Sequence, residues 1–528
     1  MTSRGRSGLP PRVNTTTEST TRLDSIDTNG SEAGASPSGF RQKILRATFW
    51  SAVWLWGNRV LTLVFFAILA RLLGPRAFGL VALSGIYIGF LMVFQEQGFG
   101  HAIIQRQQLH PDHLNTAFWM NVTLSLVLAL ATTVAAPAVG WLFHEPRLAG
   151  IVRGLSPLFI IGALTSVQRA LHLRNFRFRS LAIATMVGGL AGGVVGTLAA
   201  LNGWDVWSLV LYQITTRACE SVLIWWQSDW RPHARFRWAY FHDMFSFGKY
   251  VVAGQLASFT YLYAADMIIG FFLGTTAVGL YSVACRCVRI ILEMISGVVG
   301  RVSLPTFARL QQQPEHGRAV LLKATGQVAF LAFPLFIAMA MLAPEIVATL
   351  FGDKWMKAAP AMRALSFAGM VQSIGCLNRG MVLAYGRPKW HFGLELATVV
   401  FTLTAVLLAV HAGIIAVAWA QAFVPLLSLT LLFQAASRLV HLRLAEYLRT
   451  LGPACLASVI MALAVFVVKA TVAKHMGLAE VLIVGLSAGI FVYLAAFWVI
   501  DPGTLARSRQ YMRALLARGK CSESQVGA

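Results

Sequence analysis

The stretch Leu73-Gly74-Pro75-Arg76-Ala77-Phe78-Gly79-Leu80 returns as Leu273-Gly274-Thr275-Thr276-Ala277-Val278-Gly279-Leu280, with five of eight positions unchanged at an offset of 200. Each copy follows an apolar run long enough to cross a bilayer, the first and the seventh such run of the chain. Two more phrases recur at nearly the same offset. Leu142-Phe143-His144-Glu145 matches Leu350-Phe351-Gly352-Asp353 after 208 residues, and Arg169, Arg177 and Arg179 match Arg379, Arg387 and Lys389 after 210. Three matches at a nearly constant offset indicate a duplicated six-helix unit. Six is even, so both copies share one orientation. The axis relating them then runs along the membrane normal, with substrate sites between the copies near the midplane.

Composition places the chain in a membrane. Of its 528 residues 57% are apolar and only 12% charged, whereas a soluble domain carries about 25% charged residues. A bilayer-spanning helix needs ~20 mostly apolar residues. The chain offers 14 such runs, at 48–70, 78–97, 117–141, 151–171, 181–201, 206–227, 250–273, 278–299, 324–343, 360–385, 390–411, 413–435, 451–471 and 480–500. The expected fold is an all-α polytopic membrane protein of about 14 transmembrane helices, with two six-helix lobes and two C-terminal helices. Residues 1–44 form a cytoplasmic tail too polar to bury a core. The lobes cover 45–240 and 241–436, and 437–528 holds the last two helices and a second tail. Pro137, Pro157, Pro334 and Pro425 interrupt these runs and permit bending.

The net charge of +23 would suggest nucleic acid in a soluble protein. Here the basic residues sit between apolar runs, where they report orientation. With the N-terminus inside, the inner loops carry 26 Lys and Arg and the outer loops 9. That bias puts both termini in the cytoplasm and leaves only short outer loops. The six cysteines form no pair in an outer loop, so no disulfide framework is expected. His110-Pro111-Asp112-His113 reads as a solvated loop, and Trp141, Trp225, Trp226 and Trp355 as membrane-interface anchors.

Five stretches carry a family resemblance: Ala70–Gly79; Asn115-Thr-Ala-Phe-Trp119; Asp266-Met-Ile-Ile-Gly270; Ala277–Ser282 with Ala284 and Arg286; and Leu350-Phe-Gly-Asp-Lys-Trp355. They resemble the Wzx/WzxC-type lipopolysaccharide and exopolysaccharide flippases. These belong to the superfamily that also holds the lipid II flippase MurJ and the MATE drug exporters. The resemblance covers roughly residues 45–500 and is loose over the last two helices. It implies two lobes in a V, rocking between inward-open and outward-open states in the bacterial inner membrane. It also implies a polyprenyl-pyrophosphate-linked oligosaccharide as substrate, surface polysaccharide biosynthesis as the process, and polysaccharide polymerase machinery as a partner. The chain is expected to act as a monomer, without cofactor, metal or nucleic acid, and not as an enzyme.

The residues that point to a substrate are the charges inside the runs. Arg59, Arg217, Arg286, Arg289 and Arg379 lie there, with Glu96, Glu220, Asp266, Glu293 and Glu395. An Arg at a helix centre costs ~2.5–3.5 kcal/mol on insertion scales, so five facing lipid would cost on the order of 15 kcal/mol. They must face a partner or a water-filled cavity. Arginine keeps its proton when buried, and its planar fork binds phosphate oxygens bidentately. Arg286, Arg289 and Glu293 are spaced three and four apart and form one stripe. Arg217 and Glu220 are spaced to pair on one helix, and Asp266 is placed to pair with Arg286. Arg379, toward the cytoplasmic end of its run, can snorkel instead. All five arginines are candidates for substrate contact, and Asp266 and Glu293 for ion coupling. A membrane glycosyltransferase or polymerase would need carboxylates in a large external loop, which the chain lacks. No Gly-Lys-Ser/Thr phosphate-binding loop is present, which excludes ATP hydrolysis in this chain. A MATE-like antiporter of cationic drugs is the nearer rival. It calls for a carboxylate-lined cavity, whereas these runs hold as many arginines as acids.

Overall fold

The computed structural model describes residues 57–96, 100, 103–104, 110–234, 238–472 and 476–501. The expected tails therefore lie outside the described residues, apart from Asp501. Among the described residues the regular structure is entirely helical. Helix α1 covers 57–72, followed by α2 (Pro75–Glu96), α3 (Pro111–Leu142), α4 (Arg147–Leu155), α5 (Pro157–Arg174), α6 (Phe178–Leu201), α7 (Val206–Trp226) and α8 (Trp238–Arg309). Then come α9 (Pro314–Met341), α10 (Ala343–Phe351), α11 (Ala359–Ala384), α12 (Pro388–Ala409), α13 (Ile414–Val440), α14 (Leu444–Val472) and α15 (Leu478–Ile500).

Proline and glycine set the boundaries. Proline stands at the first position of α2, α3, α5, α9 and α12, where its missing N–H removes no helical hydrogen bond. Pro157 thus starts α5 after a short α4, and the single expected run 151–171 is two helices. Pro137, Pro334 and Pro425 instead lie inside α3, α9 and α13, which continue through them. The join at 201–206 is a turn in which Gly203 and Asp205 take positive φ, and Gly413 with φ +93 separates α12 from α13. Helix α8 carries two expected runs end to end. Gly274, with φ +81, breaks its helical geometry at their boundary. His110 is exposed, as expected of a solvated loop, but it forms a reciprocal cap with His113 at the start of α3, and Asp112 and His113 are buried.

Ten described helical segments are long and apolar enough to cross a membrane, and the chain is a multi-pass membrane protein. One of the ten is the 40-residue segment Ser258–Gly297 within α8. The expected runs 206–227 and 360–385 are helical as α7 and α11 but fall outside the ten, because polar residues and the charges of Arg217, Glu220, Arg363 and Arg379 dilute their apolarity.

The two copies of the repeated motif meet each other. A Cβ on Gly79 would overlap the carbonyl oxygen of Thr275, and one on Gly279 would overlap that of Pro75. Each would also stand 3.1 Å from the other glycine's amide nitrogen. The pairs 79/275 and 279/75 exchange under the offset of 200, as two patches related by a two-fold axis must. Only a residue without a Cβ allows so close an approach of α2 and α8. Beside this contact the Trp355 indole N–H donates to the Ala70 carbonyl at 2.8 Å, and Arg71 donates to the carbonyls of Leu350 and Thr349. Phe66 and Phe78 pack edge-on against Phe351 and Trp355. Trp355 is fully buried, not an interface anchor, because its ring fills this junction. Trp141 and Trp226 are exposed, as an anchor must be. At the chain's end, α14 and α15 dock on α9 and α10. Lys469 pairs with Glu345 at 2.8 Å, and the Tyr493 hydroxyl donates to the Phe330 carbonyl at 2.7 Å.

Candidate functional site

Seven of the ten charged residues named in the apolar runs line one cavity of about 790 Å³, walled mainly by α1, α2, α7 and α8. Arg59, Arg217, Arg286 and Arg289 line it, together with Asp266 and Glu293. Periodicity explains the α8 wall. Asp266 stands before the Gly274 break, while Arg286, Arg289 and Glu293 follow it at spacings of three and four, so one helix face carries all three. The fifth candidate, Arg379 on α11, does not line the cavity. It pairs with Glu395 of α12 at 3.2 Å.

The pairings follow distance, and some differ from expectation. Arg59 pairs with Glu293, a contact from α1 to α8 that joins the two copies. Arg217 pairs with Glu220 at 3.2 Å on its own helix. Glu220 is buried and also accepts from Arg169 of α5 and from the Thr185 hydroxyl of α6 at 3.1 Å. Arg169, named from sequence only as a matched position of the repeat, is a cavity residue. Its repeat partner Arg379 is the only hint the sequence offered.

Asp266 was expected to pair with Arg286. The structure instead sets it in the field of Arg289, with no ion pair within 4 Å among the described residues. Arg286 lies over the Phe66 ring, its Cζ 4.4 Å from the centroid, and Arg289 over Tyr263 at 5.5 Å. A ring face holds a guanidinium by cation–π attraction without using its N–H donors. Among the described residues neither Arg286 nor Arg289 has an ion-pair partner. Both forks therefore keep donors for a ligand. Five arginines against Asp266, Glu220 and Glu293 leave the cavity walls with a net charge of +2.

This architecture defines the class, a helical membrane protein with the fold of the MurJ and MATE transporters. The match to "Lipid II flippase MurJ, inward closed conformation" has a TM-score of 0.72 at 13% identity, over 85% of this chain and 98% of that one. The match to an inward-facing multidrug resistance MATE transporter of the MOP superfamily has a TM-score of 0.54 at 17% identity, over 74% and 98%. The family can then be named. The model of the family described as "Polysaccharide biosynthesis protein" matches residues 68–360, more than half of the chain, and the chain belongs to that family. Among its relatives, "Teichuronic acid biosynthesis protein TuaB" of Bacillus subtilis is 23% identical over 91% of this chain and 99% of its own length. "Lipopolysaccharide biosynthesis protein WzxC" of Escherichia coli is 24% identical over 67% and 72%, and "Succinoglycan biosynthesis transport protein ExoT" of Rhizobium meliloti 27% over 63% and 67%.

Proposed function

We propose that the chain is a flippase that carries a polyprenyl-pyrophosphate-linked oligosaccharide from the cytoplasmic to the outer leaflet of the bacterial inner membrane, for surface polysaccharide synthesis. The observation that carries this reading is the pair Arg286 and Arg289, held on ring faces with donors unspent in a net-positive cavity. A pyrophosphate offers the oxygens such forks bind, and its charge relieves the repulsion between the two guanidiniums. Arg59 and Arg217 stand on the wall opposite α8, so one anion can draw both walls together. The rival cation antiporter suffers from the same positive charge. Transport here is a sequence of binding and closure, and no covalent step is assigned to the chain.

In this reading the chain spans the membrane fourteen times with both termini in the cytoplasm. Residues 45–240 and 241–436 are the lobes that rock against each other, and polysaccharide polymerase machinery receives the product. The interlock of Gly79 with Gly279 closes the outer end of the cavity. Asp266 and Glu293 are the ion-coupling candidates, because a carboxylate inside a membrane is costly to keep charged and takes a proton or a cation readily. If Asp266→Asn leaves flipping and its dependence on the ion gradient intact, the coupling role is wrong. The function is tested by deleting the gene. The strain should lose surface polysaccharide while its glycosyltransferases stay active and lipid-linked units accumulate inside. Units still reaching the outer leaflet, with no second flippase present, would refute the proposal.

A further inference from the structure

A second cavity, of about 370 Å³, lies wholly within the first copy and shares three residues with the main one: Arg169, Arg217 and Glu220. Its volume is in the range of small-ligand sites, ~300–1,000 Å³. Beyond that shared charged edge its polar lining among the described residues is neutral. Gln95 of α2, Asn121 of α3, and Thr165 and Ser166 of α5 face it, over an apolar floor that includes Met92 and Leu158.

The two carboxamides are more than nine-tenths buried and each has a spare acceptor. Asn121 donates from Nδ2 to the Ser166 hydroxyl at 2.9 Å, and its Oδ1 has no hydrogen-bond partner. Gln95 donates from Nε2 to the Phe159 carbonyl at 2.8 Å, and among the described residues nothing donates to its Oε1. Gly162 leaves the space beside Gln95. A Cβ there would come within 3.2 Å of Nε2 and 3.7 Å of Oε1. A buried acceptor without a donor, as Asn121 Oδ1 is, is costly, and this atom and Gln95 Oε1, beside a net-positive edge, suit a ligand that is neutral, rich in hydroxyl donors and attached to an anion.

We propose that this side cavity holds a sugar ring of the lipid-linked glycan while the pyrophosphate occupies the main cavity. The assignment rests on the reading of the main cavity as the pyrophosphate site. Arg169 and Arg217, drawn to Glu220, line both spaces and so mark the passage between phosphate and sugar. Asn121 and Gln95 accept from ring hydroxyls, and Gly162 sets how bulky a substituent fits.

The test measures binding to the purified full-length protein in detergent of two probes: bare polyprenyl diphosphate, and polyprenyl diphosphate carrying a single glucose, galactose or N-acetylglucosamine. The wild type should bind at least one glycosylated probe more tightly than the bare one. Asn121→Leu and Gly162→Ala should each cut that ratio by about fivefold, the worth of one net hydrogen bond. Because the readout is a ratio within one protein sample, partial loss of folded protein does not imitate it. Ser166→Ala serves as a third variant should either of the others not fold. A ratio unchanged in the folded variants, or no preference for any glycosylated probe in the wild type, overturns the side-cavity assignment and leaves the main-cavity reading standing. If neither probe binds the wild type, both fall.

Discussion

Arg289 shows how residue type and placement combine at the site. Its ring partner, Tyr263, holds the guanidinium without consuming its N–H groups. Lysine would keep the charge but lose the planar fork. Export should therefore be impaired in Arg289→Lys and close to absent in Arg289→Ala, since truncating one partner of a buried charge contact typically costs ~2–5 kcal/mol. The double variant Arg286→Ala with Arg289→Ala should abolish export. Polysaccharide output measured beside membrane abundance checks this. Normal export at normal abundance in the double variant would remove the stripe from the mechanism. Glu220 should behave in the opposite way. It is the buried anion that holds Arg169 and Arg217. Glu220→Ala leaves two cations without their counter-charge, so membrane abundance itself should fall severalfold, while the less intrusive Glu220→Asp retains most of it. Quantitative immunoblots of membranes decide it, and wild-type levels of Glu220→Ala would show that the two arginines do not need their partner. Residue types were legible before the fold: a buried arginine is expensive enough that each one signals a function or a partner. Their partners were not, because Arg59 with Glu293 and Arg169 with Glu220 join separate helices.

At the scale of helices, the contact of α2 with α8 is the feature most sensitive to a single atom. Gly79 and Gly279 pack backbone against backbone, each under the other copy's carbonyl. A methyl group on either must push the two helices apart, and overpacking of this kind costs ~1–3 kcal/mol. Gly279→Ala should therefore weaken closure at the junction held by Trp355 and Arg71. A cysteine placed at Ile290, which lines the cavity, in a chain freed of its six native cysteines should then react faster with a membrane-impermeant thiol reagent added from outside. Equal labelling with glycine and alanine at 279 would refute the gate. The repeat was visible in the sequence as a recurring phrase after the first and the seventh apolar runs. That the two phrases lie on each other was not visible, because self-similarity at a fixed offset reports ancestry and not contact.

For the whole molecule, orientation is the property that charge alone dictates. The excess of Lys and Arg in alternate loops predicts both termini in the cytoplasm. A fluorescent protein fused after Ala528 should glow, and alkaline phosphatase fused there should stay inactive. The reverse result would invert the topology. Helices α14 and α15, outside the repeat, are pinned through Lys469 and Glu345. Lys469→Ala strands a buried carboxylate and should lower the membrane level of the protein; unchanged abundance would mean the pair is dispensable. By itself the sequence determined that the chain is a multi-pass helical membrane protein, where most apolar segments lie, that a short phrase recurs after 200 residues, and which family it resembles. Each of these is written in local composition or in self-similarity, which need no knowledge of distance. Only the tertiary structure decided that four of the five candidate arginines share one cavity and that Arg379 sits apart with Glu395. It also decided that Asp266 forms no ion pair with Arg286, and that Trp355 is a buried plug. Electrostatic and packing energies depend on separations of a few ångströms between helices hundreds of residues apart, and that information exists only once the chain has folded.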